Sequence, residues 1–172
     1  ASGTQSDGWV LYTDNDDELN DRGLSGEWPQ VNFPPARSLE ENELTIIAND
    51  FATAASRAVN CGFDGVEIHG ANGYLLYQFT DPKQNLRNDS YGGSAENNLR
   101  FPNMVVDAVR AAIGDDKIIS YRISQDGVDD FDGYWEEGQA YVDAIGAELN
   151  KMNVDAIHWS SFDWKDNRFD KS

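Results

Sequence analysis

The chain has 172 residues with 31 acidic and 13 basic side chains, a formal net charge of -18 at pH 7. An acidic excess of this size, with no cluster of Lys and Arg, excludes nucleic acid and anionic membrane surfaces as partners, because both are polyanions that select for basic patches. A hydrophobic share of 40% and an aromatic share of 12% suffice for a packed core, at a length that ordinarily makes one domain.

Residues 1–38 read as an irregular acidic segment. Trp9, Val10, Leu11 and Tyr12 are followed by Asp14, Asp16, Asp17 and Glu18, then by glycine and proline punctuation through Pro34 and Pro35. The acidic run lacks the alternating oxygen ligands, central glycine and closing Glu of a calcium loop, and reads as solvated surface. From residue 39 to 172 helices and strands alternate. Over Glu40 to Asn60, the residues Leu44, Ile47, Phe51, Ala54, Ala55 and Val59 recur at spacings of three and four, one apolar helix face, and the helix stops at Gly62. Phe63 to His69 reads as a buried strand. A long polar loop follows, then a helix over Phe101 to Ile113 closed by Gly114. Lys117 to Ser124 is a second strand, Trp135 to Met152 a third helix, and Val154 to Ser160 a third strand. Strands separated by helices imply βαβ crossovers, hence an α/β fold of parallel strands with flanking helices.

No apolar run approaches the roughly 20 residues that span a bilayer, and the N-terminus lacks a basic then apolar signal pattern, so no membrane association and a cytoplasmic location are expected. Cys61 is the single cysteine, which excludes an intrachain disulfide and reads as an inert packing residue. With only His69 and His158 as imidazoles, no metal site is expected. Asp outnumbers Glu by 21 to 10 against five lysines, so self-repulsion dominates at low ionic strength. Between about 0.01 and 1 M salt the Debye length falls from about 30 to about 3 Å, and the melting temperature is expected to rise across that range. A flat or falling melting temperature contradicts this.

On a parallel α/β sheet, chemistry gathers at the carboxyl ends of the strands. Polar residues crowd there at close spacing: His69, Asn72 and Tyr74 after the first strand, Arg122 and Ser124 at the end of the second. On the residues alone His69 reads as a structural histidine, and for Tyr74, in an apolar stretch with Leu75, Leu76 and Tyr77, simple packing is the alternative to chemistry. Asn85, Arg87, Asp89, Tyr91 and the Gly92-Gly93 pair read as organisers of the long loop, Glu96 and Arg100 as a tether from loop to helix, and His158 as structural. Phe162, Trp159 and Trp164 suit a buried surface. No Asp and Glu pair for acid-base work stands at a strand end.

The run GFDGVEIHGANGYLLYQF from Gly62 to Phe79, followed by Pro82, Asn85, Arg87, Asp89 and YGGSAEN from Tyr91 to Asn97, resembles the signature stretch of the Old Yellow Enzyme family of flavin oxidoreductases. The resemblance continues through Arg100-Phe101, the helix ending VVDAVRAAIG, the strand YRIS from Tyr121 to Ser124, and QDGVDDFDGYW after it. It covers Arg37 to about Asp163. It implies a (β/α)8 TIM barrel, with residues 39–172 forming a partial barrel of about strands 4 to 6, truncated at both ends, and with FMN at the C-terminal mouth. The function it implies is reduction of activated alkenes, small-molecule enones, with a hydride from NADH or NADPH, in an incomplete copy or fragment of the enzyme. A flavin-free half-barrel acting as a binding or scaffold subunit is the alternative. By resemblance His69 and Asn72 grip the substrate carbonyl oxygen, Tyr74 protonates the adjacent carbon, and Arg122 contacts the flavin. The family's phosphate-binding loop belongs to strands 7 and 8, beyond the matched part, so FMN affinity is expected to be low. Thr80 and Asp81 replace a Leu-Ser pair, Asn88 a Thr, and Asn98 an Arg. Open barrel edges predict a homo- or hetero-oligomer that covers them.

Overall fold

The computed structural model describes residues 37–127 and 134–161. Its first helix, α1 (Glu41–Asn60), opens where the Glu40 N–H donates to the Glu43 carboxylate at 2.8 Å, satisfying one of the donors a helix start leaves free. It buries Leu44, Ala48 and Ala55. Ala54, expected on this face, is exposed, and Ala48 takes its place, one turn being 3.6 rather than three residues. β1 (Gly65–Asn72) follows, then two short helices, α2 (Leu75–Thr80) and α3 (Ala95–Asn98), and the longer α4 (Arg100–Ile113). β2 (Ile118–Gly127), α5 (Gln139–Leu149) and β3 (Ala156–Trp159) complete the order.

The three strands form one parallel sheet in the order β1-β2-β3, the α/β arrangement that the periodicity predicts. Apolar and polar positions alternate across it. Ile68, Ile119, Tyr121 and Ile123 are buried toward the helices, where Leu44, Phe79, Phe101, Val105 and Ile145 complete the core, while Glu67, Ser120 and Arg122 take the opposite face. Gly70 admits Tyr121 at the core side: a Cβ there would stand 2.2 Å from the Tyr121 hydroxyl oxygen.

Both early strands run about three residues further than expected, so Asn72 belongs to β1 and Ser124 lies inside β2. The third helix and third strand are shorter than expected. The polar loop also holds α2 and α3, too short for a periodic signal but anchored by the buried Leu76, Phe79 and Ala95. Asn85 organises this stretch by donating to the carbonyls of Phe79 and Tyr91 at 2.7 and 2.8 Å. Asp89 accepts from Arg87 and from the Tyr91 N–H, and Arg87 reaches the Leu39 carbonyl at 2.8 Å. Arg100 ties loop to helix through the Ser90 carbonyl at 2.7 Å and Glu96 at 3.6 Å. Two departures from the resembled pattern meet here: Asn98 donates to the Thr80 carbonyl and to the Tyr141 hydroxyl, which itself donates to the same carbonyl at 2.6 Å.

Two packing expectations are corrected. Cys61 is exposed, because it caps the end of α1 rather than facing the core, and Trp159 is 39% exposed because every residue of the short β3 lies open. The acidic run at residues 14–18, Phe162 and Trp164 lie outside the described residues. No helix among the described residues is long and apolar enough to cross a membrane.

At the amino end of the sheet Arg110, buried on α4, donates to the carbonyls of Lys117 and Gly114 and to the Asp155 carboxylate at 2.6 Å. Asp155 also accepts from the Ile119 N–H at 2.8 Å, so one carboxylate pins α4, β2 and the approach to β3. That backbone bond, then the Arg110 bond, holds the Asp155 carboxyl below its usual range. A carboxyl depressed in the folded state stabilises above its unfolded pKa, and that stabilisation is lost as pH falls through the folded value. Asp155→Asn is therefore expected to cost stability at pH 7 and to narrow the gap between pH 7 and about pH 3. Urea melts at the two pH values check it, and an equal loss at both contradicts it.

Candidate functional site

The polar face of the sheet is organised in rungs. His69 on β1 is the ladder partner of Arg122 on β2, and Arg122 is the partner of His158 on β3. One rung toward the amino ends lie Glu67, Ser120 and Ala156. The rungs are tied together: Ser120 Oγ donates to Glu67 Oε2 at 2.9 Å, and His158 Nδ1 lies 3.0 Å from the same oxygen. Burial pushes the Glu67 carboxyl up, but the bonds from His158 and Ser120 outweigh it and hold it below the usual range. His158, read as structural, here braces β3 to β1 across β2.

His69 has a defined chemical state. The Ala71 N–H, which can only donate, points at His69 Nδ1 at 3.3 Å, so Nδ1 accepts and the neutral ring carries its proton on Nε2. Partial burial, then the charge of Arg122, pushes the imidazole pKa down, with Glu67 pulling weakly the other way. Near pH 7 the ring is neutral and offers one N–H donor.

Arg122 donates from Nη2 to Ser160 Oγ at 2.7 Å. Its Nε–H is buried with no acceptor among the described residues, a charged donor left for another partner.

After His69 the chain turns. Asn72 has a φ of 60°, the only non-glycine residue in the left-handed region among those described, and Gly73 follows at 86°. This double left-handed step ends β1, and Tyr74 N–H donates to the Ala71 carbonyl at 3.3 Å before α2 begins. The turn returns the Tyr74 ring to 5.0 Å from the His69 ring, tilted by 54°. Tyr74 is 50% exposed, so it is not the packing residue that its apolar neighbours suggest; Leu76 and Tyr77 are buried instead. The structure thus brings His69, Tyr74 and Arg122 together, with Asn72 on the turn that joins the first two. Sequence reasoning missed Glu67 and Ser160, which share the polar face; strict alternation within the strands was the signal that marked them. No group of three metal-ligating side chains occurs among the described residues.

The family model described as the NADH:flavin oxidoreductase / NADH oxidase family matches residues 13–170, beginning upstream of Arg37, where the motifs first become legible. The chain is 43% identical over 133 residues to 12-oxophytodienoate reductase 2 of Arabidopsis thaliana, covering 75% of this chain and 34% of that protein. It is 40% identical over 125 residues to an NADH oxidase of Thermoanaerobacter brockii, covering 73% and 19%. Among solved structures, the Old Yellow Enzyme homologue of Zymomonas mobilis superposes with a TM-score of 0.72 at 26% identity, over 92% of this chain and 41% of that one. Morphinone reductase in complex with tetrahydroNAD superposes with a TM-score of 0.65 at 35% identity, over 76% and 36%. The chain spans about a third to a half of the length of curated relatives that it matches.

Proposed function

Because the chain belongs to the NADH:flavin oxidoreductase / NADH oxidase family, we propose that it reduces the carbon–carbon double bond of small enones with a hydride drawn from NADH or NADPH through FMN. The observation that carries this reading is the neutral His69 ring, its Nδ1 engaged by a backbone N–H, on one rung with Arg122 and in contact with Tyr74. In this reading β1, β2 and β3 are strands 4, 5 and 6 of the barrel, and further strands, from the same or another chain, pair the open edges of β1 and β3.

The polar face fits a flavin, whose ring edge is rich in acceptors: Arg122 has a buried Nε–H without one and would hold the ring by charge and hydrogen bonding. Bound FMN supplies the hydride, taken from NAD(P)H, for the alkene carbon far from the carbonyl. The chain's own residues handle the charge and the proton. As hydride adds, negative charge grows on the carbonyl oxygen, and His69 Nε2–H and the Asn72 amide donate to it. Tyr74 gives its phenolic proton to the carbon next to the carbonyl and recovers one from water at its exposed side. Hydride and proton together saturate the double bond.

Incubation with FMN followed by desalting tests the reading. Protein that stays yellow, bleaches with NADPH and recovers its colour with 2-cyclohexenone supports it. Protein that stays colourless favours the flavin-free binding subunit.

A further inference from the structure

We propose that Ser124 is a positioning residue for Asn72: its hydroxyl holds the left-handed turn that sets Asn72 between His69 and Tyr74. The inference rests on the reading of Asn72 as a carbonyl donor. It begins with a break in the ladder. Gly70 pairs with Ile123, but Asn72 pairs with Gly127, so two steps along β1 face four along β2. Such a bulge disrupts the regular backbone pairing and re-aims the chain, and bulges concentrate beside active sites for that reason.

At this break the Asn72 N–H donates to a side chain, Ser124 Oγ, at 2.8 Å. The same hydroxyl donates to the Asp126 carbonyl at 2.7 Å. Only a group that accepts and donates at once closes both bonds, which among small side chains means a hydroxyl. Ser124 is 0% exposed, so water cannot easily replace it. The bond acts on a residue that needs holding, since a φ of 60° is costly for any side chain and Asn merely tolerates it better than most. A second tie lies beside it: Tyr77 Oη donates to the Gln125 carbonyl at 2.8 Å, fixing α2 to the same bulge. Ser124 also stands two residues after Arg122, on the same face of β2, so the strand that carries the proposed flavin contact also sets the turn that carries the substrate donor.

Hydrogen exchange of the Asn72 amide, read by NMR on the full chain with FMN added, and binding of 2-cyclohexenone to the same samples test this together. Ser124→Ala is expected to speed Asn72 exchange about tenfold, as loss of one buried hydrogen bond would, and to weaken 2-cyclohexenone binding as much as Asn72→Ala does. Ser124→Thr, which keeps the hydroxyl, is expected to retain both. Should Ser124→Ala fail to fold, Ser124→Cys, of similar size but a much weaker hydrogen-bonding group, takes its place. A protected Asn72 amide in either variant overturns the proposal. So does unchanged enone binding in a Ser124 variant when Asn72→Ala weakens it. If Asn72→Ala itself leaves enone binding unchanged, the donor reading of Asn72 falls and takes the positioning role with it, an outcome distinguished by the Asn72 variant alone.

Discussion

Replacing His69 or Asn72 by alanine is expected to slow reduction of 2-cyclohexenone by about 10² to 10³ for each residue, the usual cost of removing one well-placed donor to a developing oxyanion. Flavin reduction by NAD(P)H should change little, because neither residue is needed before the enone arrives. Tyr74→Phe should likewise spare flavin reduction and slow only the half-reaction with the alkene. Arg122→Ala should behave in the opposite sense, weakening FMN binding or slowing its reduction, since Ser160 engages its Nη2 and leaves the buried Nε–H without an acceptor among the described residues. Stopped-flow kinetics separates the two half-reactions. Unchanged alkene reduction in His69→Ala would return that residue to a purely structural role.

Phe101→Ala is expected to cost about 3–5 kcal/mol, the range for truncating a fully buried aromatic side chain. Phe101 is 0% exposed at the start of α4, and its ring lies 4.6 Å from that of Phe79, also 0% exposed, near the end of α2. The contact pins the helix that Tyr74 opens against the helix that follows the long loop. A loss of this size is a large fraction of the roughly 5–15 kcal/mol that stabilises an ordinary domain. Denaturant melts measure it, and a loss below about 1 kcal/mol would mean that the cavity closes by a shift of α2. Such a shift would show separately as a change in the His69 and Tyr74 ring contact.

The order of helices and parallel strands was legible because each long element carries its own period. Leu44, Ile47, Phe51, Ala55 and Val59 recur at helical spacing, and Ile119, Tyr121 and Ile123 alternate at strand spacing. Boundaries were less legible at the site. Asn72 is polar and follows the apolar run, so it reads as a loop residue, and Ser124 reads as the last residue of its strand, yet both strands run on because the ladder resumes after the bulge. Local pattern also cannot tell which member of an apolar stretch faces water. Tyr74, Leu75, Leu76 and Tyr77 look alike in sequence, but the left-handed pair Asn72-Gly73 turns Tyr74 out to His69 and leaves Leu76 and Tyr77 in the core. The His69 tautomer was beyond the sequence altogether, because it depends on where one backbone N–H points. The link from Glu67 to His158 was equally out of reach, since it joins β1 to β3 across the intervening strand.

The most direct measurement is the rate at which the chain, supplied with FMN and NADPH, converts 2-cyclohexenone to cyclohexanone, followed by gas chromatography beside the His69→Ala/Asn72→Ala double variant. The expected result is steady cyclohexanone formation by the natural sequence and little or none by the double variant, with both proteins retaining the same bound FMN. Equal rates in the two proteins, or no product from a natural-sequence chain that holds FMN, would contradict a carbonyl-gripping site at the end of β1.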